Sequence, residues 1–260
     1  MRIAITRDVG SSLTGCELSF VPRQAINVEL AMAQYRDYRR ALASLGCRVL
    51  ELPAEPTMPD AVFVEDVALV LDEIAVITRP GAESRRAETA SIAGIVSGYR
   101  PLRTIDAPAT LDGGDVLRVG RTLYVGQSTR SSPDGIAQLQ ALVADHGYQV
   151  QAVAIRDCLH LKSAVTLVAS GTLLLQPEWV DAAVFTGLDI IKVDPGEQHA
   201  ANALRVGDGV LYPTCFPYTK RRLQAAGIAV TEVDVSELQK AEGAVTCCSL
   251  VFRDHVPVAA

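Results

Sequence analysis

One unit recurs along this chain and limits what it can fold into: an apolar strand, a tight polar turn, a second apolar strand, a helical stretch and a third apolar strand. Hairpins are predicted at residues 67–70 with 74–78, 116–119 with 122–125, 164–169 with 172–175, and 203–206 with 210–212. Turns such as Ser170-Gly171 and Gly207-Asp208-Gly209 carry the glycines that tight hairpins need. Helical stretches follow at 84–97, with Ser84 as N-cap, at 132–146, at 177–185 (shorter and weaker) and at 219–226, ended by Gly227. Closing strands are expected at 102–105, 150–155, 190–193 and 228–233.

These four units occupy residues 64 to 234, and the two ends supply the parts of a fifth. Residues 246–252 read as a strand, 2–6 as its partner, 27–45 as the helix before Gly46, and 48–52 as the last strand. A unit that cannot bury its own apolar face must stack on neighbours. Closing the array also pairs the terminal strands and removes two exposed edges. The expected fold is therefore α/β, a five-bladed pseudo-symmetric propeller of ββαβ units closed by the N- and C-terminal strands, forming one domain over residues 1–260. An open α/β sandwich would leave the terminal strands without this role.

Composition excludes several functions. A formal charge of −6 repels phosphate backbones, so no nucleic-acid partner is expected. No apolar run reaches the roughly 20 residues a bilayer helix needs, so no membrane partner is expected either. The six cysteines form no CxxC pair, which reads as reduced cytoplasmic thiols and gives no zinc signature.

The chemistry-bearing residues gather where each hairpin begins, at intervals of roughly 40–50 residues. They are Glu65-Asp66, Asp112-Gly113-Gly114-Asp115, His160-Leu161-Lys162-Ser163, Asn202 and Cys247-Cys248. Five such mouths around a ring converge on one end of a central channel. Acids in the apolar run Phe63-Val64-Glu65-Asp66-Val67 are costly to bury unless paired or binding a cation. A guanidinium, planar and rich in donors, suits two carboxylates. A thiol becomes a nucleophile when an imidazole or a cationic substrate favours the thiolate, which makes His160 and one cysteine a natural pair. Strand alternation over 246–252 turns Cys247 and Cys248 to opposite sides, leaving one for the channel. Arg85 or Arg86, and Arg130 at the corresponding place in the next unit, could clamp a carboxylate. Each of these residues alone also has a bland reading: a core thiol, a satisfied histidine, a turn, a solvated arginine.

Five segments in order, Pro59 to Asp66, ITRPGAESRR from Ile77, ATLDGGD, LHLKS and VTCCS, resemble the dimethylarginine dimethylaminohydrolase family. The similarity runs from about residue 4 to 253. This family belongs to the guanidino-group-modifying enzymes, whose fold is a five-bladed α/β propeller, and its motifs imply roles at matching positions. Cys247 matches the nucleophile and His160 the catalytic histidine. Asp66 and Asp112 match the carboxylates that bind the guanidinium, Asp112 standing where some relatives have glutamate. Arg85 and Arg130 match the residues that hold the α-carboxylate. Asp60, with the backbones of Leu18 and Ala241, matches the α-amine site, and Glu65 matches a residue lining the pocket. Residues 11–19, around Gly15, fit a lid.

The resemblance implies hydrolysis of Nω,Nω-dimethyl-L-arginine, and of the monomethyl compound, to L-citrulline and a methylamine through a covalent Cys247 thiouronium. It implies no cofactor and no metal. The expected partner is the small-molecule substrate, with a homodimer kept as a further expectation. An arginine deiminase or an amidinotransferase relative is the nearest rival. A deiminase of the long type carries an inserted helical domain for which 260 residues leave no room. A non-catalytic propeller that binds a partner is a more distant rival, since it would have lost the Cys, His and acid set.

Overall fold

Five three-stranded sheets, each built on the same pattern, make up the computed structural model, which describes residues 1–254. The chain begins with β1 (Arg2–Arg7), α1 (Val28–Ser44) and β2 (Cys47–Leu52). Asn27 caps α1 by accepting the Leu30 N–H, as expected of that residue type. The first internal blade holds β3 (Ala68–Val70), β4 (Ala75–Ile77), α2 (Thr89–Val96) and β5 (Leu102–Thr104). The second holds β6 (Val116–Val119), β7 (Thr122–Gln127), α3 (Pro133–Val143) and β8 (Gln149–Ala154). In the third, the single turn α4 (Leu161–Ala164) leads into β9 (Val165–Ala169), β10 (Thr172–Leu175) and β11 (Asp189–Lys192). The fourth holds β12 (Leu204–Val206), β13 (Gly209–Pro213), α5 (Pro217–Ala225) and β14 (Ala229–Val233). The short α6 (Ser236–Gln239) then leads towards β15 (Leu250–Arg253).

In every blade the second strand is central, antiparallel to the first and parallel to the third. The terminal blade obeys the same rule. β15 pairs antiparallel with β1 from Arg2 opposite Arg253 to Ile5 opposite Leu250, and β1 pairs parallel with β2. The chain ends thus complete the fifth blade. First strands of neighbouring blades touch, β15 with β3, β6 with β9 and β9 with β12, and α1 packs on β14. The apolar core is distributed accordingly, in clusters that lie between blades. One joins β1 and β15 to β3 and β4 through Ile3, Ile5, Val67, Ala75 and Phe252. Among the described residues no helix is long and apolar enough to cross a membrane.

Three expectations need correction. The stretch 177–185 forms no α-helix but a single 3-10 turn, Ala182–Val184, capped by Asp181. Its apolar residues Trp179 and Val180 are buried instead through a turn and a bridge between Val180 and Ile155. Ser84 is not an N-cap: the helix begins at Thr89, preceded by a 3-10 stretch, Glu83–Glu88, and the Ser84 hydroxyl donates to Glu17 at 2.6 Å. The strand expected at 246–252 begins only at Leu250, because residues 245–248 form a turn.

Phe252 fills the seam between the terminal blade and the first internal one, edge-on to Tyr99 and beneath the Arg100 guanidinium. Phe252→Ala should lower the unfolding free energy by about 3–5 kcal/mol, as large-to-small core changes do. Urea denaturation measures this; a loss below about 1 kcal/mol would show that the seam contributes little to the ring.

Candidate active site

Three of the five mouths, those of Asp66, His160 and Cys247, meet in one small cavity. Its wall includes Asp60, Asp66, Arg85, Arg130, His160, Ala241 and Cys247 from the sequence-derived set. Glu17, Phe63, Leu159, Glu242 and Gly243 complete it. Asp112 lies immediately behind, fully buried and bonded to His160. Of the residues expected at the site, Leu18 and Glu65 also stand outside the cavity wall. Leu18 packs on the core, and Glu65 is tied to Lys162 with its N–H donating to the Cys247 carbonyl at 3.2 Å.

Asp66 rides on the 3-10 turn Val64–Val67 that opens the first internal blade. Its Oδ2 accepts from Arg85 at 2.5 Å and its Oδ1 from the Gly114 N–H at 3.0 Å. Burial alone would raise this carboxyl, but the charges of His160 and Arg85 outweigh it and hold it at about 2. Gly114 can be nothing larger: a Cβ there would stand 2.6 Å from both Asp66 Oδ1 and His160 Nδ1. The Gly-Gly of the motif therefore lets one mouth close against the next, with no positive φ involved.

His160 precedes α4 in an extended conformation, which turns its ring inward. Nε2 is 3.0 Å from Asp112 Oδ2 and Nδ1 is 3.9 Å from Asp66 Oδ1. Burial pushes the imidazole down, but Asp66 and the Asp112 hydrogen bond prevail and raise it to about 9. Asp112 is held in turn, its Oδ1 accepting the Gly81 N–H at 2.8 Å and its own N–H donating to Ser131 Oγ at 3.1 Å. One atom each from Asp66, Asp112 and His160 falls within 4.8 Å of the others, a spacing suited to a small cation or to one edge of a guanidinium.

Cys247 is half-buried and faces the cavity, whereas Cys248 is fully buried with its thiol directed at the Ala244 carbonyl. The two cysteines do part company, but in a turn and not by strand alternation. Side chains hold that turn. Asn202 and Thr246 exchange two hydrogen bonds, Tyr38 donates to Val245 O, and Tyr35 donates to Cys248 O at 2.7 Å. Burial, and then the charges of Glu65 and Asp66, push the Cys247 thiol up to about 12.

The two arginines differ. Arg85 is fully engaged with protein: Nε with Glu88, one terminal nitrogen with Asp66, the other with Glu88 and the carbonyls of Asp60 and Phe63. Arg130 has one side-chain bond among the described residues, to Ser19 Oγ at 3.3 Å. The segment expected as a lid, residues 11–19, starts as a 3-10 turn, Ser11–Gly15, and its later part is held by side chains of the cavity wall. Asp60 accepts the Glu17 N–H at 3.1 Å, and Glu242 accepts the N–H groups of Ser19 and Phe20. Glu17, Glu242 and Glu88 were not singled out from the sequence. Glu242 takes a left-handed φ of 59° in the structure, which the sequence does not announce.

A sequence model of the arginine deiminase family matches residues 54–204. An N(G),N(G)-dimethylarginine dimethylaminohydrolase of Pseudomonas aeruginosa is 38% identical over 85% of this chain and 88% of its own length. A second, of Streptomyces coelicolor, is 37% identical over 96% and 97%. Among solved structures, a dimethylarginine dimethylaminohydrolase with a histidine replaced by glycine, in an adduct with S-methyl-L-thiocitrulline, superposes with a TM-score of 0.93. It is 35% identical and covers 97% of this chain and 100% of its own. A cysteine-to-serine variant of the Pseudomonas aeruginosa enzyme complexed with citrulline gives 0.92 at 35% identity, over 96% and 98%.

The charge on His160 generates a pH prediction. A group whose folded pKa is raised stabilises the fold fully below its unfolded value, here 6.5, and loses that contribution as pH rises through about 9. Unfolding free energy should therefore fall between these limits, by on the order of 3 kcal/mol. Denaturant titrations at stepped pH should show this slope in the parent and a flatter one in His160→Gln; equal slopes would place the charge elsewhere.

Proposed function

Because the chain belongs to the dimethylarginine dimethylaminohydrolase family, we propose that it hydrolyses Nω-methylated L-arginine to L-citrulline and a methylamine, as a single-domain enzyme. The observation that carries this reading is the set of Asp66, His160 and Cys247 on one cavity wall with Asp112 behind His160: a carboxylate facing the cavity for a planar cation, an imidazole that a second carboxylate keeps protonated at neutral pH, and a thiol. In this reading the guanidinium lies against Asp66, with Cζ facing the Cys247 sulfur, and Asp112 has the task of holding His160.

The thiol, pushed up to about 12 by burial and two acid neighbours, is protonated in the free protein. A bound cation opposes those acids and favours the thiolate, so the substrate helps to form its own nucleophile; the thiol proton leaves to water, since His160 is already charged, and is regained when the sulfur departs. The thiolate adds to Cζ. His160, charged because it is raised to about 9, gives its proton to the departing methylamine, leaving an S-alkylthiouronium on Cys247. Neutral His160 then takes a proton from water as the oxygen adds to the same carbon. Collapse breaks the C–S bond and releases citrulline.

At the other end of the substrate, Arg130 is the arginine with a guanidinium free to meet the α-carboxylate. Arg85 adds positive charge at the same wall while it holds Asp66. Asp60, with the backbone of the lid near Leu18 and of Ala241, is placed to receive the α-amine. Glu65 acts from behind Cys247, through its charge and its backbone bond. The six cysteines are all free thiols, which supports the reading that the enzyme works in the reducing cytoplasm.

Purified protein should form citrulline from dimethylarginine and monomethylarginine. Citrulline and ammonia from arginine alone would instead favour a deiminase. Cys247→Ser should abolish turnover and Cys248→Ser should retain most of it, with mass spectrometry finding the trapped adduct on Cys247. An adduct on Cys248 would overturn the assignment. Arg130→Ala should raise KM for dimethylarginine by about 10- to 100-fold, the loss of roughly 1.5–3 kcal/mol from a charge-assisted contact. An equal loss with a simple alkylguanidine, which has no carboxylate, would rule out the clamp.

A further inference from the structure

Asp115 closes the Asp112-Gly113-Gly114-Asp115 motif and takes no part in the cavity wall. It is fully buried. Its three hydrogen bonds lead to three separate parts of the site. Oδ1 accepts the Leu161 N–H at 3.0 Å, directly after His160. Oδ2 accepts the hydroxyls of Ser128 at 2.5 Å and Ser131 at 2.6 Å. Each serine oxygen then accepts from backbone. Ser128 Oγ takes the N–H groups of Arg130 at 3.0 Å and Ser131 at 3.2 Å, and Ser131 Oγ takes the Asp112 N–H at 3.1 Å.

The directions are fixed by chemistry. A backbone N–H only donates, so both serine oxygens must accept there, and each has a single proton left for Asp115. The central group must therefore accept three times, which suits a carboxylate and not an amide. Gly126 clears the space it occupies, since a Cβ at that position would lie 2.7 Å from Asp115 Oδ1 and 2.9 Å from the Leu161 side chain.

We propose that Asp115 is a positioning residue that sets His160, Asp112 and Arg130 in register from one buried carboxylate. The role given to those three rests on the hydrolase reading above; the network itself does not. Three arms of bonds leave the hub, the one on the Leu161 N–H fixing the chain directly after His160. The arm through Ser131 ends on Asp112, beside the reacting carbon. The arm through Ser128 ends on the turn that carries Arg130, at the amino-acid end. Burial raises Asp115 to about 6 against the pull of His160 and the serine hydroxyls, so it remains ionised at neutral pH.

The test combines kinetics with amide hydrogen exchange read by NMR. Asp115→Asn should cut kcat/KM for dimethylarginine by about 100-fold or more, the scale of loss when catalytic groups shift by about 1 Å. Exchange at Leu161, Arg130 and Asp112 should speed up by at least tenfold, while strand amides of β7 stay protected. Ser131→Ala should lower kcat. Ser128→Ala should mainly raise KM, with little change for an alkylguanidine, and Ser128→Thr, which keeps the hydroxyl, should restore it. If Asp115→Asn does not fold, the serine variants still decide the matter. Exchange at the three amides that matches the parent, or kcat and KM moving alike in both serine variants, overturns the proposal. Absence of citrulline from the unmodified protein overturns the functional reading instead, and the exchange data then judge the hub by themselves.

Discussion

Asp66 keeps a negative charge in a nearly fully buried position, because Arg85 takes one carboxylate oxygen while Gly114 and His160 attend the other. Much of the site follows from that balance. An unpaired carboxylate in such a place would take up a proton. Arg85 needs Glu88 as well, and the carbonyls of Asp60 and Phe63, to satisfy a guanidinium that is itself enclosed. His160 keeps its proton because Asp66 and Asp112 surround it, and the Cys247 thiol keeps its own because burial, and then Glu65 and Asp66, disfavour the anion. A cation that enters between these groups meets a wall already set for it. This is electrostatic preorganisation achieved by pairing charges across different blades.

The ring makes this possible without any one blade containing a site. Each blade delivers its short turn to the same end of the channel, and each turn has come to carry something different: a carboxylate at Asp66, a glycine pair and two acids at Asp112–Asp115, an imidazole at His160, an amide at Asn202 and a thiol at Cys247. The repeated scaffold fixes distance, while the chemistry resides in the few residues grafted onto it. Asn202 shows the division of labour, since it is absent from the cavity wall yet fixes the turn of Cys247 through Thr246.

How much could be read from the chain depended on whether the determining contacts were local. The hairpins are legible because their turns are short and polar, three of the four with glycine, and their strands are continuous apolar runs. Residues 2–6 and 246–252 could be joined because the unit lacked those two pieces and no others. Where side chains from far away replaced ladder bonds, the reading failed. Val245 and Cys248 give their carbonyls to Tyr38 and Tyr35 of α1, so a β-rich run became a turn. The stretch 177–185 spends its apolar residues on a bridge and a core contact, and helical spacing was an accident there. Arg85 was legible as a site residue through its motif, but its pairing with Asp66 and Glu88 was not, because it depends on a 3-10 stretch that no local signal announces. Glu242 was missed for a similar reason: its partners are lid amides more than 200 residues earlier in the sequence.

The pairing of β15 with β1 spans only four residue positions. The cysteine that faces the cavity lies just before it, in a turn held by Tyr35, Tyr38 and Asn202. A molecule in which this one strand has peeled away would keep four complete blades, both carboxylates and the imidazole. Its sulfur would stay in register only as far as the bonds from Tyr35, Tyr38 and Asn202 hold the turn, so the C-terminal seam and these three side chains share the task of keeping the thiol at the cavity.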